Sequence, residues 1–349
     1  MITSITDSKS LFESKETVNA LSNQKLDFFS NLEWYKNFID TVIAKDKDAC
    51  FFIHSNIDDE KDDTVLPIKV TTSAGKKQIQ SLTNYYSPIY TINFSEFTSF
   101  KFSNLFKGIQ SLNWSVAEFR PMSLEDTFTL RQSVKYPSIP FFCFGNWYLP
   151  VEGKTFEEYF SNLSSQVRNT VNRKAKKFKN IHDTHIEILT SPSQVEQAIH
   201  AFNTVYQSSW KIPEPYPDFI PGLITAAAEQ NCLRLGIAYL GEKPIAAQLW
   251  IVADNTAYIF KLAYDEAYKQ YSAGTVLTSH LMKYVIDVDK VDIVDYLCGD
   301  DHYKKDWMSH RRERWGLLIF NTRNFRGVLE LCREMPKYWL KTLFTLLKI

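Results

Sequence analysis

The sequence predicts a mixed α/β protein of two lobes, and three observations carry that prediction. The chain has 349 residues, long for one compact domain, so two are expected. Its first 150 residues alternate short strand-like and helix-like runs and hold enough apolar material to close a core of their own. Farther on, three runs rich in β-branched and aromatic residues follow each other across tight turns: Leu233 to Leu240, Ile245 to Ala253, and Ala257 to Tyr264. Gly241-Glu242-Lys243-Pro244 and Asp254-Asn255 mark the turns, which is the pattern of an antiparallel meander. After Gly274 the period changes to three-and-four spacing through Val276, Leu277, His280, Leu281, Tyr284, Val285 and Val288, the mark of an amphipathic helix. A strand therefore feeds a small-residue loop that opens a helix. The free N–H groups and positive dipole end of such a helix form a ready phosphate site.

Composition sets bounds. Forty basic and forty acidic residues cancel, so overall charge selects neither nucleic acid nor an anionic membrane as partner. Aromatics make up 15% and hydrophobic residues 44%, ample for two cores. Cys50, Cys143, Cys232, Cys298 and Cys332 lie far apart, an odd set that reads as free thiols in a reducing compartment. A polar, early-acidic N-terminus is not a signal peptide, and no apolar run approaches a membrane span. The expectation is a soluble, cytoplasmic protein.

Taken in order, residues 1–26 read as a loose lead-in. Leu32 to Ala44 reads as a helix and Ala49 to His54 as a strand. Asp58 to Asp63 reads as a solvated acidic turn, since the alternation, central Gly and final Glu of a calcium loop are missing. Thr64 to Thr72 and Gln78 to Leu82 form a hairpin, Tyr85 to Tyr90 an aromatic loop, Ser103 to Leu112 a helix and Trp114 to Phe119 a strand. Ile139 to Leu149 reads as a strand pair turning at Gly145-Asn146. A long polar helix from Thr155 to about Lys179 carries six basic residues between Arg168 and Lys179. It is either a solvated helix with cations at its favoured C-terminal end or an electropositive wall for an anionic substrate. His185 to Leu189 is a strand; helices from Pro192 to Trp210 and Asp218 to Glu229 precede the meander. Val291 to Leu297 is a further strand, Tyr303 to Met308 a short helix and Trp315 to Asn321 the last strand.

Several chemistries are excluded. The seven histidines show no helix-ligand spacing, and His182 and His185 beside Asp183 make no recognisable set, so no metal is expected. Ser209 lacks a Gly-x-Ser-x-Gly frame, and no Gly-rich loop ends in Gly-Lys-Ser/Thr.

The order strand, two helices, three antiparallel strands, loop-opened helix, strand, helix and strand resembles the GNAT acyltransferases. Arg168, Arg173, Ser209-Trp210-Lys211, Pro244-Ile245-Ala246-Ala247-Gln248, Tyr264-Asp265 and Gly299-Asp300-Asp301 through Tyr303-Lys304 to Trp307 extend the resemblance. They point to a two-lobed branch that includes FemAB-type peptidyltransferases and CelD-like acetyltransferases. The resemblance spans roughly Phe29 to Asn321 and is strongest after Thr155. It implies two GNAT-like lobes, each a mostly antiparallel central sheet flanked by helices. The limits are 27–154 for the first lobe, 155–180 for the basic connecting helix, 181–325 for the acyltransferase lobe and 326–349 for a C-terminal amphipathic helix. The implied activity is N-acyl transfer from acyl-CoA, as co-substrate, to an amine of a small molecule, sugar or lipid or cell-envelope precursor. FemAB-type relatives use the fold with aminoacyl-tRNA, which is the alternative donor; a catalytically silent binding module is the other. One departure stands out. The usual pyrophosphate loop has Arg or Gln, two residues, Gly, one residue, then Gly or Ala, whereas Gln270 is followed by Tyr271-Ser272-Ala273-Gly274-Thr275 with a single Gly. Small residues there still let the backbone approach an anion.

The resemblance places candidate residues. Gln270, Ser272, Ala273, Gly274 and Thr275 would bind the donor. Asp265 and Asp300 end neighbouring strands, where a carboxylate would accept the amine proton; Asp301 would bind the amine. The competing reading of Asp300 and Asp301 is capping of the next helix. Tyr303 and Lys304 would protonate a leaving thiolate or hold an anion, and Lys261, Trp210 and Trp307 would line the substrate site, Trp307 being equally a core residue. Arg168 and Arg173 lie five residues apart, about 140° around a helix, so both cannot face one ligand. Arg168 is expected to face the acceptor. Finally, Val328 to Ile349 mixes Tyr338, Trp339, Leu340, Leu343, Phe344, Leu346 and Leu347 with Lys337, Lys341 and Lys348. It reads as a helix docked on the body or a second subunit, or as an interfacial helix at the inner membrane surface.

Overall fold

The computed structural model describes residues 2–5, 12–22, 27–46, 48–55, 64–73, 76–92, 106, 109 and 112–347. The acidic stretch 58–63 and most of the expected helix 103–112 lie outside them. Two compact units emerge, residues 1–144 with 313–349, and residues 145–312.

The chain begins with β1 (Ile2–Ile5), α1 (Lys15–Leu21) and α2 (Leu32–Phe38), which runs on through a π-turn, Ile39–Ile43, to Asp46. The Asn31 side chain caps α2, accepting from Trp34 N at 2.9 Å. Then come β2 (Ala49–Ser55), β3 (Thr64–Ser73), β4 (Lys76–Ser81), β5 (Val116–Met122) and α3 (Leu124–Ser133). Hydrophobic periodicity does not show α3; its signal is the Ser123 cap, which accepts from Asp126 N at 2.9 Å. β6 (Ser138–Pro150) is one unbroken strand, not two turning at Gly145-Asn146. Gly145 is there for close approach, since a Cβ on it would stand 2.3 Å from the Asp300 carboxylate.

The polar helix is likewise two helices, α4 (Phe156–Asn162) and α5 (Ser165–Lys179). Ser164 breaks it and caps α5 through Val167 N. β7 (Thr184–Leu189), α6 (Val195–Gln207), α7 (Phe219–Glu229), β8 (Leu233–Leu240), β9 (Lys243–Ala253) and β10 (Thr256–Tyr264) follow as expected. After a 3-10 helix, Glu266–Tyr271, come α8 (Ala273–Asp287), β11 (Ile293–Cys298), a second 3-10 helix, His302–Asp306, β12 (His310–Phe320) and α9 (Phe325–Leu347).

Among the described residues, each unit holds six strands in the same arrangement. In the first the order is β1-β2-β3-β4-β5-β12 and in the second β7-β8-β9-β10-β11-β6. Four strands run antiparallel, the fourth and fifth pair parallel across a crossover, and the fifth pairs antiparallel with the sixth. The sixth strands are exchanged in sequence. β6 follows β5 along the chain but pairs with β11, while β12 follows β11 and pairs with β5. Hence residues 313–349 join the first unit, and the units change over within β6 and β12 rather than at 154/155 and 325/326.

The second unit's main core lies where Tyr159, Val171, Phe178, Leu277, Leu281 and Val285 of α4, α5 and α8 meet Ala246, Trp250, Ala257 and Ile259 of the sheet. In the first unit, Leu66, Ile68, Ile79, Ala117, Phe119, Leu317 and Ile319 from the strands pack with Tyr90, Trp114 and Leu130.

Candidate active site

The sheet of the second unit opens at one place. Parallel β10 and β11 pair only over Thr256–Tyr258 with Ile293–Asp295. Past that point β11 bulges: its register on β6 shifts between Asp295 and Cys298, and Leu297 takes a φ of 53°. Buried Asp295 fixes the bulge, accepting from Leu297 N and Asn146 Nδ2, each at 2.6 Å. Asn146 also donates to Leu297 O at 2.9 Å. Arg312 reaches Asp295 Oδ2 and donates to Asn146 Oδ1 at 2.6 Å, so the buried carboxylate is matched by charge and hydrogen bonds.

The ends of the parted strands are built differently. At the end of β10, Asp265 is buried; it caps the 3-10 helix through Ala267 N at 2.9 Å and lies 3.2 Å from Lys243 Nζ. Ser272 then takes a left-handed φ of 55°, turning the chain into α8. Ala273 and Gly274 carry amides that a helix leaves without intrahelical acceptors. The start of α8 is fixed from below: buried Gln248 donates to Gly274 O and Thr278 Oγ1, both at 2.8 Å, and Trp250 Nε1 donates to Gln248 Oε1 at 3.1 Å. Gly274 is not demanded by packing, since the nearest atom to a Cβ there is Tyr264 Cδ1 at 3.7 Å. Two cations of α5 reach this loop. Lys174 Nζ donates to Thr275 Oγ1 at 3.1 Å and Lys177 Nζ to Gln270 O at 3.0 Å, while the Gln270 side chain is exposed. Burial, reinforced by Arg173, pushes the Lys174 pKa below the usual lysine value.

At the end of β11 the hydrogen bonds go to an ammonium. Lys304, 4% exposed, donates from Nζ to Cys298 O, to Gly299 O at 3.3 Å and to Tyr296 O at 3.4 Å, with the Asp301 carboxylate at 3.5 Å. Burial lowers its pKa and Asp301 opposes the shift. Gly299, at φ 105°, makes the turn beside it. Asp300 is clamped by Arg311, whose Nε and Nη2 donate at 2.8 and 2.7 Å, and by Trp147 Nε1 at 3.0 Å. The Arg311 bonds hold its carboxyl below the usual carboxylate range. Asp301 is exposed and its side chain caps nothing; the capping carboxylate is Asp265. Tyr303 is part exposed, stands edge-on to Tyr296, and is pushed up to about 12 by burial. Trp307 is a core residue, its carbonyl accepting from buried Tyr159 Oη at 2.9 Å.

A third group lies on β10 and the segment after α6. Lys261 Nζ is 2.6 Å from Glu214 Oε1, which also accepts from Tyr206 Oη. Lys211 Nζ stands 5.7 and 5.9 Å from the rings of Trp210 and Tyr206. Burial and then the Lys261 charge push it down to about 8, and it also feels Glu214, Asp301 and Lys304. Exposed Trp210 packs on Tyr264 with ring centroids 4.4 Å apart.

The expected loop and both carboxylate-bearing strand ends thus frame one parting of the sheet. Arg168 is occupied otherwise: its Nη1 donates to Ser161 O, and Arg173 is exposed. The loop-facing cations, Lys174 and Lys177, were hidden in a run of like charges. Lys211 lay within a quoted motif, but its neighbours come from distant segments. Among the described residues, no three His, Cys, Asp or Glu are grouped to hold a metal, and no helix is long and apolar enough to cross a membrane.

Residues 165–305 match the model of the Acetyltransferase (GNAT) domain family. No curated protein matches the chain. Among solved structures, FemX is similar at 8% identity with a TM-score of 0.61, covering 93% of this chain and 98% of its own. A conserved protein of unknown function from Bacteroides thetaiotaomicron is similar at 8% identity, TM-score 0.58, over 92% and 100%. L-PGS from Bacillus licheniformis is similar at 9% identity, TM-score 0.54, over 94% and 95%. At such identities the likeness is one of fold.

Proposed function

We propose that the chain transfers an acyl group from acyl-CoA to an amine, a reading supported by the match of residues 165–305 to the GNAT acetyltransferase domain family and by a fold similar to that of FemX. One observation carries the reading: α8 opens at the parting of β10 and β11, with Lys174 and Lys177 against the loop. Ala273 and Gly274 N–H groups, Ser272, Thr275 and the two lysines hold the donor's pyrophosphate. The acyl thioester then lies along the parted strands, whose own hydrogen bonds are taken by Lys304 and the Asp295 network. The acceptor is an amine on a small molecule, sugar or lipid precursor.

In the transfer the amine nitrogen bonds to the thioester carbon, the C–S bond breaks, and the amine gives up a proton. Asp265 is engaged by a cap and Lys243, and Asp300 by Arg311 and Trp147, with the Arg311 bonds holding the Asp300 carboxyl below the usual range. Lys211, half deprotonated near pH 8, takes the proton, and Tyr303 supplies one to the leaving thiolate. Exposed Asp301 attracts the cationic amine before it is deprotonated, and Trp210 on Tyr264 offers it a flat wall.

Calorimetry or native mass spectrometry with a panel of acyl-CoAs tests the donor. Submillimolar binding is expected. Indifference to every acyl-CoA together with binding of an aminoacyl-tRNA would move the donor to that class. Indifference to both would leave a silent binding module.

A further inference from the structure

The C-terminal helix α9 packs one apolar face on the first unit and, among the described residues, leaves another uncovered. Leu331, Met335 and Tyr338 pack on Val116, Ile139 and Phe320. The helix start is pinned beside Asn321, whose carbonyl oxygen lies 2.1 Å from where a Cβ on Gly327 would stand. A second face carries Phe325, Leu329, Cys332, Pro336, Trp339 and Leu343, at steps of four, three, four, three and four, with Val328 and Leu340 beside it. That spacing makes one straight stripe about 27 Å long at 1.5 Å per residue. The stripe is bare: Phe325 is 75% exposed, Trp339 63%, Leu340 55%, Leu329 52% and Leu343 51%. Single exposed apolar residues need no explanation, but a contiguous stripe does.

The third face decides what covers it. Arg326, Arg333 and Lys337 border the stripe on one edge and are exposed. The helix's acids turn inward: the Glu330 side chain is only 8% exposed, held between Lys76 and Arg333, and Glu334 is bound by Arg333 and Lys337. What the surroundings meet is therefore an apolar stripe with a Trp, flanked by cations. An antiparallel second copy would bring cationic edge against cationic edge, which like charges resist. An anionic headgroup layer over acyl chains complements both features.

We propose that α9 lies in the plane of an anionic lipid bilayer, its Phe325–Leu343 stripe among the acyl chains and Arg326, Arg333 and Lys337 among the headgroups. This does not rest on the transfer reading.

Co-sedimentation of the full chain with phosphatidylglycerol–phosphatidylcholine vesicles tests it, with pure phosphatidylcholine as control. Binding to the anionic vesicles, weakened by salt, is expected. Trp339→Ser with Leu343→Ser should abolish it, with an unchanged melting temperature. Arg333→Gln with Lys337→Gln, which leaves the stripe intact, should weaken it by about tenfold or more. No binding to anionic vesicles overturns the proposal, as does binding that neither pair of substitutions alters. So does concentration-dependent dimerisation in analytical ultracentrifugation that Leu340→Ser removes, since the stripe would then be covered by a second copy. Acyl-CoA binding by the same variants should be unchanged, so failure here is separable from failure of the donor site.

Discussion

The two units carry one strand order and treat its weak point in opposite ways. In each, the parallel pair holds for only three residues, Gln78–Gln80 with Val116–Glu118 in the first and Thr256–Tyr258 with Ile293–Asp295 in the second. Where pairing stops in the first unit, neutral groups continue it. Ser81 Oγ donates to Arg120 O at 2.6 Å and accepts from Arg120 N at 3.1 Å, and Thr83 Oγ1 donates to the same carbonyl at 3.0 Å. The strands are stitched. In the second unit the carbonyls of Tyr296, Cys298 and Gly299 turn to an ammonium, and charged residues stand on both strand ends. A fold that is closed with hydroxyls in one copy is held open with ions in the other. Buried ions stabilise poorly for what they cost in desolvation. Among the described residues, a buried ammonium takes these strand-end carbonyls in the second unit, whereas hydroxyls take that place in the first.

The contrast can be broken experimentally. The largest effect is expected from Gly274→Glu, which puts charge and bulk where an anion must lie. Losing two or three charge-assisted bonds, each about 1.5–3 kcal/mol, should weaken CoA binding by about a hundredfold or more. The open space around Gly274 means the fold should persist, and near-normal affinity measured by calorimetry would remove the loop from the site. Next comes Lys304→Met, which strands buried carbonyls at about 1–3 kcal/mol and should lower stability in chemical denaturation. If stability is unchanged, the ion does not hold the parting.

Lys211 is expected to act through its proton. Its charged fraction falls as pH rises through about 8, so kcat should climb across that range and level off above it. Lys211→Met should flatten the climb and lower kcat by about a hundredfold or more. A variant that keeps both the slope and the rate would return the role of base to a carboxylate.

The smallest effects belong to capping and stitching. Asp265→Ala and Ser81→Ala should each cost about 1 kcal/mol and leave turnover nearly intact. A large loss of rate in the first, at unchanged melting temperature, would make Asp265 part of the chemistry. The Asp300 pair is read through pH. Its carboxyl is depressed by Arg311, so its contribution to stability is present above the ordinary carboxylate range and is lost as pH falls through the depressed value. Asp300→Asn should remove that acid-side dependence.

What the sequence shows and hides follows from how far apart the determinants lie. The meander and α8 are local patterns, and their spans were legible from turn residues and a change of period. Gly145-Asn146 carries turn residues yet lies within a strand, because its glycine answers to Asp300, far along the chain. The exchange of β6 and β12 is equally non-local. Charge runs conceal which lysine is pointed where: Arg168 was favoured for the ligand, but the α5 residues that reach the loop are Lys174 and Lys177. Lys304, read as a proton donor or an anion holder, is buried against the carbonyls of Tyr296, Cys298 and Gly299, partners that no local pattern announces.

The discontinuity of the first unit bears on how the protein is made. Its sixth strand and α9 leave the ribosome after residues 145–312, which emerge as one uninterrupted unit. The second unit has all six of its strands by the time Arg312 is synthesised, and domains fold as units during translation. Until β12 arrives, β5 keeps an unpaired edge, a template for mispairing with a neighbouring nascent chain. A chain stopped before Glu313 would therefore hold the whole second unit attached to a first unit whose β5 edge is unpaired.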